Sequence, residues 1–558
     1  MHSRAVCSKP LPTLFGMLAV AALAACGGGG GSTPTGGATP VEPKTVSAGP
    51  GCELAYTLTQ SPVLTGADPL LAQQWHLRNT GQSGGVAGED MRVFEAWTTT
   101  RGAGVRVAVV DDAVEVVHAD LLPNVATGAS YSYRPGNRGS AWPLPCTAAL
   151  DGAGDPIDGH GTAVAGLVLG RDNNAIGISG VAPRASLAAY DALASGQDAD
   201  IADALVRDAA ANAVYQNSWG APDDGSLHAA PAAFAAAIRA GIANGRDGLG
   251  SIYVFPGGNG GCYAKEKDSG LCQVDNANFD GFVNPLGVIT VCAVDRAGRR
   301  PWYGEPGANL LVCAPSSGDA KDVVTTTLKG AWRSDFSGTS ASTPMVSGVV
   351  ALMLSVNPTL TWRDVRWILA RSARRNDAAD PGWEPAEVGQ GFNHQYGFGV
   401  VDARAAVTTA AGWTSVGGSS TLLSCALPER VVGAALPDPD RNGTLAPVTD
   451  SIDVTAAGCG ISQIEYVEVR FTATHTYSGD LRVRLTSPQQ RTSRLAEQRI
   501  CNRSTTAYDT CSAFDGWTFG SSRHLGEPAA GRWSLEVTDM VRGDVGRLER
   551  WSLTIHGR

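Results

Sequence analysis

The apolar residues change period once along the 558 residues, near Trp413, and that change limits the fold more than any other feature. From 61 to 412, short β-branched apolar runs alternate with Ala-rich stretches. The spacing predicts strands over 105–110, 251–255 and 287–294, and helices over 162–169, 198–212 and 341–356. Strands alternating with helices imply an α/β fold with a doubly wound parallel sheet, whose reactive groups sit at the carboxyl ends of the strands. From 413 to 558, the segments 467–471, 481–485, 533–537 and 551–555 alternate apolar and polar residues with period two. That pattern predicts half-buried antiparallel strands in a β-sandwich.

The N-terminus has a different character. Arg4 and Lys9 precede an apolar run over 11–25 that is too short to span a bilayer and suits a signal peptide. It ends Leu23-Ala24-Ala25-Cys26 before a run of glycines, which resembles a bacterial lipobox, with Cys26 as the lipidated first residue of the mature chain. The plainer reading is an ordinary signal peptide that carries a cysteine. Residues 1–25 are thus expected to be a lipoprotein-type signal, and 26–60 a Gly/Pro/Thr-rich linker. The product would be a membrane-anchored lipoprotein of the cell envelope or a secreted protein.

Of twelve cysteines, ten remain after Cys7 and Cys26. An even number in an exported chain points to disulfides rather than to metal ligation. Neighbour pairing would give Cys262–Cys272, Cys292–Cys313, Cys425–Cys459 and Cys501–Cys511, leaving Cys52–Cys146; spacing alone does not choose this connectivity. Lys and Arg total 43 against 53 Asp and Glu, a formal charge of -10. That balance argues against nucleic acid as a partner, because phosphate binding needs a dense cationic face.

Three short motifs carry chemistry. Val109-Val110-Asp111-Asp112 places carboxylates at the end of a buried strand, Asp158-Gly159-His160-Gly161-Thr162 opens a helix with a histidine, and Ser337-Gly338-Thr339-Ser340 leads into the longest apolar helix. Singly they read as an Asx turn, a loop histidine and a helix N-cap. Together, in the order Asp, His, Ser, they match one known arrangement of the acyl-transfer triad. Ser340 would be the nucleophile, His160 the base that takes its proton, and Asp111 the carboxylate that fixes the imidazole tautomer. A fourth element, Gly257-Gly258-Asn259-Gly260-Gly261, follows a predicted strand and offers the Asn259 amide to an oxyanion.

These residues resemble the subtilase family, and within it the kexin and furin branch of proprotein convertases. Further segments carry the likeness: Ala67-Asp68-Pro69, Gln73-Gln74-Trp75-His76-Leu77, Ser218-Trp219-Gly220, Pro301-Trp302-Tyr303 and Thr361-Trp362-Arg363-Asp364. In the second domain, Ser478-Gly479-Asp480-Leu481, Leu485-Thr486-Ser487-Pro488 and 546–551 resemble the P domain of that branch. The resemblance implies a subtilisin-like catalytic domain over 61–412 and a P domain over 413–558. It also implies cleavage after basic residues, with Asp223 and Asp280 as the acidic floor and wall of the primary pocket and Asp112 as the acid of the adjoining subsite. Extended substrate would add as a strand beside Ser218, Trp219 and Gly220. Ala229 stands where mammalian members keep a further acid, so selection for basic residues farther upstream is expected to be weaker.

Calcium is implied by the same resemblance. One site would use Asp68, Asp120 and Asn174 with the carbonyls of Arg171, Ile176 and Ile178. A second, beside the primary pocket, would use Asp223, Glu305 and Asp275, with Asp268 competing for the last place. Such oxygen ligands suit Ca²⁺. The stretch between Cys26 and the catalytic domain is shorter than the inhibitory prodomain of the family, so either a separate protein assists folding, which is the expectation, or the fold proceeds unaided.

The leading expectation is therefore an exported, calcium-dependent serine endopeptidase acting on proteins or peptides after Arg or Lys. One alternative is a broad-specificity subtilisin-like protease whose pocket acids bind only calcium. Another is a surface binding protein on a relict protease fold, which predicts a damaged triad; Asp111, His160, Asn259 and Ser340 are all present.

Overall fold

The computed structural model describes residues 44–58, 65–151, 154–261, 275–318, 320, 322–500 and 513–558. The signal segment with Cys26, the pairs Cys262–Cys272 and Cys501–Cys511, and Asp268 lie outside the described residues.

The expected linker does not run to residue 60. Strand β1 (Lys44–Ser47) pairs antiparallel with β2 (Ala55–Leu58), and Cys52 is bonded to Cys146. Val46 and Tyr56 are buried, and the Tyr56 hydroxyl donates to the Pro145 carbonyl at 3.0 Å. Apolar side chains at alternate positions give this hairpin a face to bury, which Gly/Pro/Thr composition alone conceals.

Six strands form one parallel sheet: β3 (Arg106–Val110), β4 (Ser186–Tyr190), β5 (Val214–Asn217), β6 (Ile252–Pro256), β7 (Val288–Val294) and β8 (Leu310–Pro315), in the spatial order 4-3-5-6-7-8. β6 and β7 are buried throughout, as expected for strands covered on both faces. The order reverses at β3, which therefore ends at the switch point where such sheets open a crevice. The helices are α1 (Val93–Ala96), α2 (His160–Leu169), α3 (Asp198–Ala204), α4 (Ala232–Asn244), α5 (Thr339–Val356), α6 (Trp362–Ser372) and α7 (Ala403–Ala411). α5 is buried along most of its length and packs on β5, β6, β7 and β8. The hairpin β9 (Val323–Thr327) and β10 (Ala331–Phe336) lies beside α2.

The helix expected over 198–212 stops at Ala204. Asp208 takes a positive φ of 52°, the Ala209 carbonyl accepts from Arg246 N at 2.7 Å, and the Arg207 carbonyl accepts from the Tyr215 hydroxyl at 2.6 Å. These long-range partners outweigh the helical preference of the Ala-rich sequence and turn the chain into β5.

The second half is a sandwich of two antiparallel sheets. One holds β11 (Leu423–Ala426), β12 (Arg430–Leu436), β14 (Ile464–His475), β17 (Phe514–Ser521) and β19 (Gly546–Gly557). The other holds β13 (Val448–Val454), β15 (Leu481–Thr486), β16 (Thr492–Ala496) and β18 (Gly531–Asp539). A short helix α8 (Ala456–Cys459) brings Cys459 to Cys425, and Cys292–Cys313 joins β7 to β8. Phe471, Phe519, Trp533 and Trp551 fill the core between the sheets.

A buried ion pair joins the two halves: Arg363 of α6 donates from Nε to Glu465 Oε2 at 2.8 Å, with the arginine side chain fully enclosed. Asp364 accepts from Trp413 Nε1, Ser415 Oγ and Val416 N at 2.7–2.9 Å, which pins the connecting segment. Thr361-Trp362-Arg363-Asp364, one of the segments that carry the family likeness, thus forms the joint between the two halves.

Candidate active site

Asp111 is the first residue beyond β3, at the switch point, and is 1% exposed. His160 is the first residue of α2, and its Nδ1 lies 2.9 Å from Asp111 Oδ1. That bond fixes the tautomer and leaves Nε2 as the basic nitrogen. Close approach of α2 to this loop depends on Gly161, because a Cβ there would sit 2.4 Å from the Ala113 carbonyl oxygen. Burial opposes a charged imidazole, but the charge and hydrogen bond of Asp111, with Asp112 behind it, outweigh it and raise the ring above its ordinary 6.5.

Asp112 accepts from His160 N at 3.1 Å and Gly161 N at 2.8 Å, so its carboxylate caps the start of α2. Burial, and then the charge of Asp111, push its pKa up. Sequence reasoning gave Asp112 only a subsite role; the structure adds this capping.

Ser340 is the second residue of α5. Pro344 lacks the N–H that would otherwise bond the Ser340 carbonyl within the helix. Ser218 Oγ takes that place at 3.1 Å, and is itself held by Gln216 Nε2 at 2.7 Å, whose Oε1 accepts from Ser347 Oγ. Among the described residues no hydrogen bond joins Ser340 to His160; the Ser340 hydroxyl donates to the Ser218 carbonyl at 3.3 Å. The hydroxyl turns on a single Cα–Cβ bond, and such contacts commonly tighten only when substrate is bound. Gln216, Ser347 and the second role of Ser218 were missed in the sequence, since no local spacing links positions 131 residues apart.

Asn259 follows β6, and its Oδ1 accepts from Thr339 N at 2.8 Å and Thr339 Oγ1 at 3.0 Å. With the oxygen held, Nδ2 is the group left to donate beside the N-terminus of α5. Gly338, at φ 80°, brings the chain close to Asn259; a Cβ there would meet Oδ1 at 3.2 Å.

Behind Ser218–Gly220, the Trp219 indole donates to the Val110 carbonyl at 2.9 Å and packs edge-on against Phe234, Phe255 and Phe282. Asp280 accepts from Ala221 N at 3.0 Å and Phe282 N at 2.7 Å. A Cβ at Gly220 would lie 2.5 Å from Asp280 Oδ2, so a larger residue there would displace that carboxylate. Burial first, with the charge of Asp223 adding, pushes Asp280 up to about 6.

The residues expected to hold calcium also gather. At the first set, Asp68 accepts from Asn173 N and Asn174 N, each at 3.0 Å, and Asp120 from Asn174 Nδ2 at 2.8 Å and Ile178 N at 2.9 Å. Among the described residues, the carbonyls of Arg171, Ile176 and Ile178 accept no hydrogen bond. Two carboxylates, an amide and three open carbonyls fit a hard cation. At the second set, a Cβ on Gly260 would meet Asp275 Cβ at 2.6 Å, Glu305 Oε1 at 2.8 Å and Asp223 Cβ at 3.0 Å. Burial and mutual repulsion push Asp275 up and Glu305 well up, a strain that a cation among them relieves. Among the described residues no three His, Cys, Asp or Glu side chains already form a ready metal cage, so neither set is complete without carbonyls or rearrangement.

Known protein families match both halves of the chain. Residues 102–399 match the subtilase family, and residues 464–555 match the proprotein convertase P-domain. The dibasic-processing endoprotease of Schizosaccharomyces pombe is 35% identical over 501 residues, covering 88% of this chain and 65% of that protein. Human proprotein convertase subtilisin/kexin type 7 is 34% identical over 504 residues, covering 88% and 60%. Human neuroendocrine convertase 2 is 32% identical over 508 residues, covering 88% and 74%. The chain thus spans 60–65% of the length of the first two relatives. Among solved structures, a serine protease of Aeromonas sobria superposes with a TM-score of 0.75 at 26% identity, covering 90% of this chain and 97% of that one. The same protease in complex with the chaperone ORF2 gives 0.74 at 26% identity, covering 90% and 96%. The matched segment 102–399 and the likeness in fold agree: the chain belongs to the subtilase family, joined to a proprotein convertase P-domain.

Proposed function

We propose that this chain is an exported, calcium-dependent serine endopeptidase that hydrolyses peptide bonds after Arg or Lys. The observation that carries the reading is the pinning of three groups from separate elements around the start of α5: His160 on Asp111, Asn259 on Thr339, and Ser340 against Ser218.

Substrate pairs as an extended strand with Ser218–Gly220. The Ser340 hydroxyl turns from the Ser218 carbonyl to His160, which takes its proton at Nε2 as Oγ bonds the scissile carbonyl carbon. Negative charge on the carbonyl oxygen meets Asn259 Nδ2 and the Ser340 N–H. His160, held and stabilised by Asp111, then gives the proton to the leaving amine as the C–N bond breaks. Water repeats the steps on the acyl-enzyme and frees Ser340. Asp223 and Asp280 offer paired carboxylates to the cationic head of the preceding residue.

Calcium, when bound, supplies positive charge that offsets carboxylates otherwise repelling one another. Asp68, Asp120 and Asn174 with the carbonyls of Arg171, Ile176 and Ile178 would hold one ion, and Asp223, Asp275 and Glu305 another. The first ties the segment at Asp68 to the loop at Asn174, which supports a stabilising role. A separate folding protein is supported by the Aeromonas sobria protease having been crystallised with a chaperone. Anchoring through Cys26 rests on the lipobox-like sequence; a Cys26→Ser protein should then move from the detergent phase to the aqueous phase.

Labelling with an organophosphate should modify Ser340, and a Ser340→Ala chain that still cleaves protein would end the proposal. A panel of peptide amides with Arg, Lys, Leu or Phe before the scissile bond tests specificity. Asp223 borders the same glycine as Asp275 and Glu305, which favours a second reading in which these acids serve calcium and specificity is broad. Equal turnover across the panel selects that reading.

A further inference from the structure

Arg499 belongs to the P-domain, three residues past β16, yet its guanidinium lies among the loops of the primary pocket. Its main chain is fixed by Arg499 N donating to the Gly479 carbonyl at 2.8 Å, and the residue is 2% exposed. Nε donates to the Gly225 carbonyl at 2.7 Å. The guanidinium carbon stands 4.0 Å from the centre of the Phe279 ring and 5.4 Å from that of Phe514. Gly225 in turn donates from its N–H to Asp275 Oδ2 at 2.7 Å. One side chain therefore touches Gly225, which lies two residues past Asp223 and is also a partner of Asp275, and Phe279, the residue just before Asp280.

Both terminal nitrogens of Arg499 lack hydrogen-bond partners among the described residues. A guanidinium buried with unpaired N–H groups is a poor stabiliser, and an apolar side chain of like volume commonly serves packing as well or better. What an apolar residue does not reproduce is a directed bond to Gly225 combined with a flat cation on Phe279. Those two contacts brace the loop that carries Asp223 against the loop that carries Asp280, beside the backbone bonds of His228 with Phe279 and Gly281.

We propose that Arg499 is a positioning residue of the primary pocket, contributed by the P-domain, which holds the Asp223 and Asp280 loops at the separation a basic side chain needs. The inference rests on the reading that this pocket takes Arg or Lys.

The test uses the full chain with Arg499→Met and Arg499→Lys. Peptide amides with Arg or Leu before the scissile bond give KM and kcat, and organophosphate labelling of Ser340 gives a rate that does not use the pocket. Arg499→Met should raise KM for the Arg substrate about tenfold, the scale of one lost charge-assisted bond, with kcat within about twofold and the labelling rate unchanged. Arg499→Lys, which keeps the charge without Nε, should recover part of the loss. An unchanged KM overturns the proposal, as does a fall in kcat and labelled fraction at constant KM, which marks a merely structural role. If Arg499→Met does not fold, Arg499→Lys decides alone: its KM must rise, and an unchanged value overturns the proposal. Wild-type enzyme that turns over both substrates equally removes the basic-residue reading itself. Wild-type selectivity that persists in Arg499→Met overturns only the role of Arg499.

Discussion

Replacing Asn259 by leucine tests the oxyanion geometry directly. Two donors from Thr339, at 2.8 and 3.0 Å, occupy the amide oxygen, so the only group the substitution takes from the reaction is Nδ2. A donor aimed at developing charge in a dry site contributes about 2.7–4 kcal/mol to the transition state, so kcat should fall about 10²–10³-fold. The ground-state carbonyl gains little from that donor, so KM should stay within about threefold. Asn259→Asp should be at least as slow, because it sets a carboxylate oxygen against the oxyanion. Thr339→Val removes one of the two anchors and leaves Nδ2 in place; its cost should be about 1 kcal/mol, or roughly fivefold in kcat. The assay is steady-state hydrolysis of a peptide amide, corrected for active fraction by titration of Ser340. A folded Asn259→Leu enzyme that keeps more than about a tenth of the wild-type kcat would refute the assignment, since the oxyanion would then be held from elsewhere.

Four further outcomes follow from the coordinates. His160 must be neutral to act as a base and its pKa is raised, so kcat/KM should climb with pH through a midpoint above 6.5; Asp111→Asn should lower that midpoint and cost about 10⁴ in kcat. Glu465→Gln leaves the enclosed Arg363 without its counter-charge and should cost about 3–5 kcal/mol in denaturant unfolding, whereas pairing it with Arg363→Met should recover most of the loss. Fully buried His76 is held down at about 3 by desolvation, so the unfolded chain takes up a proton that the folded chain refuses. Stability should fall by up to about 1.4 kcal/mol per pH unit below 6.5, and His76→Gln should flatten that slope. Chelating divalent cations should lower the unfolding temperature of the wild type more than that of Asp120→Asn, as read by calorimetry.

The local settings of Asp111, His160 and Ser340 were legible because acyl-transfer chemistry would dictate both residue type and surroundings. A carboxylate after a buried strand, a histidine between glycines at a helix start, and a serine at the head of an apolar helix are all local patterns, and Asp111, His160 and Ser340 stand in those places. The sandwich was legible because its strands bury alternate residues, as Leu481–Thr486 does. What escaped depends on partners far away in sequence. Gln216 reads as an ordinary strand residue until Ser347 and Ser218 close on it, and Arg499 as a surface arginine until Gly225 and Phe279 enclose it. The helix expected over 198–212 failed for the same reason, since Arg246 claims the Ala209 carbonyl. The sequence also could not show that the Ser340 hydroxyl rests on Ser218, because rotamers are set by packing rather than by motif.

The segment joining the two halves is held along its length. Asp364 grips Trp413, Ser415 and Val416, Arg363 reaches the carbonyls of Val416, Gly417 and Gly418, and the Trp362 indole donates to Ser419 Oγ at 2.8 Å. Hydrolysis of a bond there would not set the halves adrift, since these grips and the Glu465 pair lie on both sides of any scission. A preparation nicked in this stretch would migrate as one species on a native gel and separate into two bands only in detergent. Integrity of the covalent chain must therefore be read under denaturing conditions.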